Sequence, residues 1–142
     1  SRPMPNPADA SAPRPVLRVE LVLEAHYHGD TALCAFGPRR EHLLVWRPAL
    51  APESFAQLQT RFGDALIELS DDDAAHYAAN SFALPGPDPV LVLPEGGSER
   101  LLAQVRGRGV RPLTVDVGEF LKKGGGSVKC MIGDLGLFEE PA

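Results

Sequence analysis

The sequence predicts an α/β fold built from small strand–helix modules. Three observations predict it: short apolar runs of strand length, amphipathic stretches of helical period between them, and glycine or proline at many of the junctions. The 142 residues suffice for one small domain with a core of its own.

Residues 1–15 carry five prolines and no apolar periodicity, and read as a disordered tail or linker. The domain is expected over residues 16–142. Residues 16–24 are apolar and β-branched and predict a strand. Residues 31–36 form a second apolar run, ended by Gly37-Pro38, and residues 42–46 a third. Pro52 and Glu53 open a helix, because proline suits the first helical turn. Phe55, Leu58 and Phe62 recur on one face of it, and Gly63 ends it. Residues 65–69 predict a strand. Ser70 caps a short helix, with Asp71, Asp72 and Asp73 near its positive end and Tyr77 facing inward. Strands are expected over 81–84 and 90–93. Ser98 caps a helix whose apolar face is Leu101, Leu102 and Val105, ended by Gly107 and Gly109. A strand over 113–117 and a turn or short helix over 118–121 follow. The loop Gly124-Gly125-Gly126 then leads into a strand over 127–132.

Composition narrows the function. A net charge of -5 leaves no basic stripe to replace phosphate counterions, so nucleic acid is not an expected partner. No apolar run is long enough to span a bilayer, so no membrane partner is expected either. The two cysteines, Cys34 and Cys130, are too few for a disulfide scaffold and lack metal-pair spacing. A reducing, cytoplasmic setting is the expectation.

Two segments carry residues suited to chemistry. In Tyr27-His28-Gly29-Asp30-Thr31, an extended backbone would turn His28 and Asp30 to one face. A carboxylate can hold a guanidinium there while an imidazole moves protons; a polar turn between two strands is the plainer reading. In Gly124-Gly125-Gly126-Ser127-Val128-Lys129-Cys130-Met131, the glycines let backbone approach a ligand. Cys130 beyond them is a nucleophile if a nearby cation lowers its pKa, and a buried structural thiol otherwise. On a strand, Lys129 would face away from Cys130. A cysteine and a histidine far apart in sequence are the usual form of a thiol-enzyme pair.

Tyr27-His28-x-Asp30-Thr31-Ala32-Leu33-Cys34 resembles the histidine motif of the guanidino-group-modifying superfamily. Glu119-Phe120-Leu121-Lys122-Lys123-Gly124-Gly125-Gly126-Ser127-Val128-Lys129-Cys130 is similar to that family's terminal cysteine motif. The stretch from Asp73-Ala74 to Asn80 resembles its segment ending in an asparagine. The resemblance runs from about Val16 to Leu135. The family contains dimethylarginine dimethylaminohydrolases, arginine deiminases and amidinotransferases.

The resemblance implies a pentein-like α/β propeller of five blades, of which this chain supplies two to three strand–helix modules as the C-terminal half. It implies that Cys130 attacks a guanidino carbon and that His28 protonates the departing amine and then activates water. Asp30 would hold the guanidinium nitrogens. The substrate is a small guanidino compound, arginine or a methylated arginine, and no metal or organic cofactor is implied. An amidinotransferase is the variant in which an amine replaces water. Two departures stand out. Gly29 replaces a bulky apolar residue, and the family's first half, with its further carboxylates, is absent. Gly63-Asp64-Ala65-Leu66 is only superficially like the missing acidic motif. The chain is therefore expected to be a fragment, a proteolytic piece or one subunit of a split enzyme. It would associate with the N-terminal half, with a second subunit or with itself. A non-catalytic binding or assembly module on the same scaffold is the reading from another class.

The remaining candidates have plainer explanations. His26, His28, Cys34 and His76 fit no tight metal motif. His42, beside Arg39, Arg40 and Glu41, reads as a solvated turn residue. Asp71-Asp72-Asp73 lacks the alternating ligands of a calcium loop. Trp46 and the phenylalanines read as core, and Lys122-Lys123 as a solvated pair.

Overall fold

The structure, a computed structural model, describes residues 16–23, 29–118 and 127–129. The expected tail over residues 1–15, and the segments carrying His26, His28, Gly124 and Cys130, lie outside the described residues.

The described chain folds the same plan twice. Strands β1 (Leu33–Phe36) and β2 (His42–Val45) pair antiparallel, helix α1 (Pro52–Phe62) crosses over, and β3 (Leu66–Glu68) returns parallel to β2. A short helix, α2 (Asp71–Ala75), leads to the second unit. There β4 (Phe82–Leu84) and β5 (Val90–Pro94) pair antiparallel, α3 (Glu99–Gly107) crosses over, and β6 (Arg111–Val115) lies parallel to β5. The result is two three-stranded sheets, ordered β1-β2-β3 and β4-β5-β6. This is the α/β arrangement of strand–helix modules expected, with two modules among the described residues. No helix among them is long and apolar enough to cross a membrane.

Local chemistry sets the boundaries. Proline stands in the first turn of α1, and Gly63 at its end adopts φ 54 while its N–H donates to Gln59 O. The guanidinium of Arg47 stacks 4.5 Å from the Phe55 ring centroid. Ser98 caps α3 by accepting the N–H of Leu101 at 3.2 Å. Gly37, at φ 108, turns the first hairpin where a Cβ would meet His42.

The first sheet is covered on both faces. Leu33, Leu43, Val45 and Leu66 alternate toward α1 and pack with Phe55, Leu58 and Phe62. Cys34, Phe36, Leu44 and Ile67 point the other way, into a core shared with Ala83, Leu91, Leu93, Leu101 and Val105 of the second module. The second sheet differs. Its Ala83, Leu91 and Leu93 face that shared core, whereas Phe82, Val92 and Leu113 form a cross-strand row on the opposite face. Leu84 and Leu113 there are 46% and 54% exposed.

Several expectations change. Residues 16–23 form no strand; their ladder contact is one antiparallel bridge, Leu21 to Leu50, beside a Glu20 N–H donation to Ser54 Oγ at 2.8 Å and packing of Val19 and Leu21 on the α1 cluster. Val22 N–H donates to Ala49 O at 2.9 Å and Ala51 N–H to Glu20 O at 3.0 Å. Their bridge partner, Leu50, is an extended residue between the tight turn Arg47–Ala49 and α1, so no ladder continues from it. The strand expected from residue 31 begins at Leu33, because Gly29–Thr31 is a 3₁₀ turn. The period-two argument that set Asp30 on one face with His28 therefore does not hold at Asp30. The last strand of the second module runs Arg111–Val115 rather than 113–117. Residues 127–129 form a turn and not the start of a strand. Tyr77 sits beyond α2 at φ 58 and is only partly buried. His42 is the first residue of β2, tilted against Phe36 at 5.4 Å, instead of a solvated turn residue.

Candidate functional site

The junction between the two modules starts at α2. Ser70 Oγ accepts the Asp73 N–H at 3.1 Å and caps the helix. Asp73, 4% exposed, accepts the Ser98 N–H at 2.8 Å and the Ser98 hydroxyl at 3.0 Å. The Asp triplet thus serves helix starts, and Asp71 also accepts the Trp46 indole N–H at 3.0 Å. After the turn at Tyr77, the Asn80 N–H donates to Tyr77 O at 2.9 Å and the Ser81 hydroxyl donates to Ala78 O. A tight, buried corner results, and β4 leaves from it.

Three segments meet at this corner. Cys34, near the start of β1, donates its thiol to Ser81 O at 3.5 Å, so the entries of β1 and β4 touch. Asn80, fully buried, accepts the Ser127 N–H on Oδ1 at 2.9 Å and the Lys129 N–H on its carbonyl at 3.2 Å. The Gly29–Thr31 turn leads directly into β1, and Thr31 and Ala32 are buried. The described neighbours of both sequence-predicted residues therefore lead to one corner: the turn that follows His28 and the segment that precedes Cys130. His28 and Cys130 lie outside the described residues. Asp30 is described only through its backbone, in the 3₁₀ turn.

Cys34 is 6% exposed and hydrogen-bonded, a packed thiol at the module junction. His76 Nδ1 lies 2.8 Å from Asp72 O, within its own helix end. Among the described residues, no group of three or more His, Cys, Asp or Glu side chains is arranged to hold a metal ion. The resemblance marked Asn80 as the end of a family segment but gave it no role. The available signal was a carboxamide between Ala78-Ala79 and the apolar run of β4, since a buried polar group requires partners.

Comparison with known proteins places this fold among relatives. No protein-family model matches the chain. Over 117 residues it is 37% identical to the N(G),N(G)-dimethylarginine dimethylaminohydrolase of Mycobacterium tuberculosis (strain ATCC 25618 / H37Rv). That alignment takes in 82% of this chain and 36% of the relative. The structure matches apo ArgZ, an arginine dihydrolase from the ornithine–ammonia cycle in cyanobacteria, with a TM-score of 0.71 at 27% identity. By sequence and by fold, the chain is a relative of the guanidino-group-modifying superfamily. The ArgZ match covers 81% of this chain and 18% of ArgZ. The product-bound N-terminal domain of ArgZ gives 0.70 at 27% identity, over 80% of this chain and 39% of that domain. Unliganded AgrE gives 0.71 at 26% identity, over 80% of this chain and 16% of AgrE. The chain thus spans about a third of the superfamily relative it matches in sequence.

Proposed function

We propose that this chain carries the nucleophile of a C–N hydrolase acting on a guanidino group, arginine or a methylated arginine, and forms citrulline. Cys130 is the nucleophile, His28 the general acid and base, and Asp30 the anchor for the guanidinium. The thiolate of Cys130 forms a C–S bond to the guanidino carbon, and protonated His28 gives its proton to the nitrogen that leaves as an amine. Neutral His28 then takes a proton from water, whose oxygen bonds to the same carbon. The C–S bond breaks and the thiolate returns. An amine in place of water would make the reaction an amidino transfer.

The observation that carries this reading is the corner at Asn80. The segment before Cys130 is tied there at 2.9 Å and 3.2 Å, and the turn after His28 leads through β1 to the same place. Residues 16–142 are read as the C-terminal half of the catalytic fold, a partial propeller completed by an N-terminal half or by another subunit. The open face of the second sheet supports that reading. Its counterpart in the first sheet is covered by the next module, so a further module fits the row Phe82, Val92 and Leu113. We place the chain in the reducing cytoplasm, where both cysteines stay reduced.

A haloacetamidine probe tests the chemistry. The expected result is an adduct on Cys130, found by peptide mass spectrometry and lost in His28→Ala. Labelling unaffected by that substitution, or equal labelling of Cys34, would overturn the reading. The second reading, a non-catalytic assembly module, is favoured by the open cross-strand row Phe82, Val92 and Leu113 on the second sheet. It predicts a stable complex by native mass measurement and no Cys130 adduct within it.

A further inference from the structure

Asn80 is a fully buried polar residue that the proposed chemistry leaves without a role. Its neighbours Ala79 and Ser81 are each 1% exposed. Its own N–H is tied back to Tyr77 O at 2.9 Å, so the corner holds the residue from behind. In front, its two oxygens receive alternate N–H groups of one segment, Ser127 on Oδ1 and Lys129 on the carbonyl. Among the described residues, these are the hydrogen bonds that fix residues 127–129. The Ser127 hydroxyl adds none, being buried without a hydrogen-bond partner.

We propose that Asn80 is a positioning residue for Cys130, setting the backbone from which the thiol reaches a guanidino carbon. The inference rests on Cys130 being the nucleophile. Lys129 directly precedes Cys130 in the chain, so the tie at Lys129 stands one residue from the proposed nucleophile. A shift of the tied segment moves the point from which the chain continues to Cys130. A reacting atom misplaced by about 1 Å slows a step that needs near-attack geometry by ~10²-fold. The operative atom is the carboxamide oxygen, the side-chain acceptor of the Ser127 N–H.

The test follows inactivation of the full chain by 2-chloroacetamidine, an amidine-bearing electrophile. It reads kinact and KI separately, with the adduct located by mass spectrometry. Asn80→Leu removes the acceptor at similar volume, and Asn80→Asp keeps it. The expected result is a ~10²-fold lower kinact for Asn80→Leu with KI within ~3-fold, while Asn80→Asp stays within ~3-fold of the wild type in both. Equal kinact values for the two variants overturn the proposal. Leu58→Ala, in the α1 cluster, controls for lost stability. A kinact loss there as large as in Asn80→Leu would show general loosening and also overturn it. Should Asn80→Leu not fold, Asn80→Ala deletes the same acceptor and takes its place. Wild-type Cys130 reacting no faster than free cysteine is a different failure; it removes the nucleophile itself and this inference with it.

Discussion

Asp73 grips Ser98 at two points, accepting its backbone N–H at 2.8 Å and its hydroxyl at 3.0 Å. Ser98 in turn caps α3, so the start of the second crossover helix is oriented from α2, 25 residues earlier. Asp73→Ala leaves both donors without their acceptor in a largely buried place. The expected cost is about 1–3 kcal/mol of stability by chemical denaturation. Asp73→Asn, which keeps one acceptor oxygen, should cost less.

Gly96 turns at φ 101, and a Cβ there would run into the imidazole ring of His76. Gly96→Ala is expected to destabilise the fold by about 1–3 kcal/mol, from backbone strain and the clash together. Adding His76→Ala should recover the clash and leave the backbone part. A double-mutant cycle by thermal or chemical unfolding measures this; full additivity would show that the ring is not the obstacle.

Cys34 should behave as a core atom. In the native chain iodoacetamide should leave it unmodified, and labelling should appear only with unfolding. Cys34→Ala should cost about 1–2 kcal/mol through the space left between β1 and β4. Rapid labelling in native buffer would mean the two modules separate at that seam.

Glu41 gives a pH signature on the first hairpin. Its carboxylate is held below the ordinary range by its own backbone N–H and by that of Arg39, which donates at 2.7 Å. A carboxyl group with a lowered folded pKa contributes stability above its unfolded value and loses it as pH falls through the folded one. NMR titration should therefore find Glu41 ionised to lower pH than a free glutamate. Glu41→Gln should remove that share of the acid dependence and leave the neutral fold intact.

The helices were the most legible part of the sequence. Proline at the start of α1, Gly63 at its end and the Ser98 cap are local signals, and each appears where expected. Residues 16–24 misled because an apolar, β-branched run says nothing about whether a strand stands beside it. Here the neighbour is Leu50, a short extended link between the Arg47–Ala49 turn and α1. The 3₁₀ turn at Gly29–Thr31 was hidden because the run that follows it is apolar from Thr31 onward. Of the candidate site, the residue types and their order were readable. The buried corner was not, because it joins Cys34, Ser81 and Ser127 across distant parts of the chain, and long-range pairing leaves no local pattern.

Each module closes its own sheet from nearby sequence, Leu33 through Glu68 and then Phe82 through Val115. Such self-contained loops are quick to close and make natural cooperative units of local unfolding. Hydrogen exchange should accordingly sort the amides by module, one set opening without the other. Docking of the two modules, reported by the Gly86 amide that donates to Pro38 O at 2.9 Å, should come last on refolding and open first under mild denaturant.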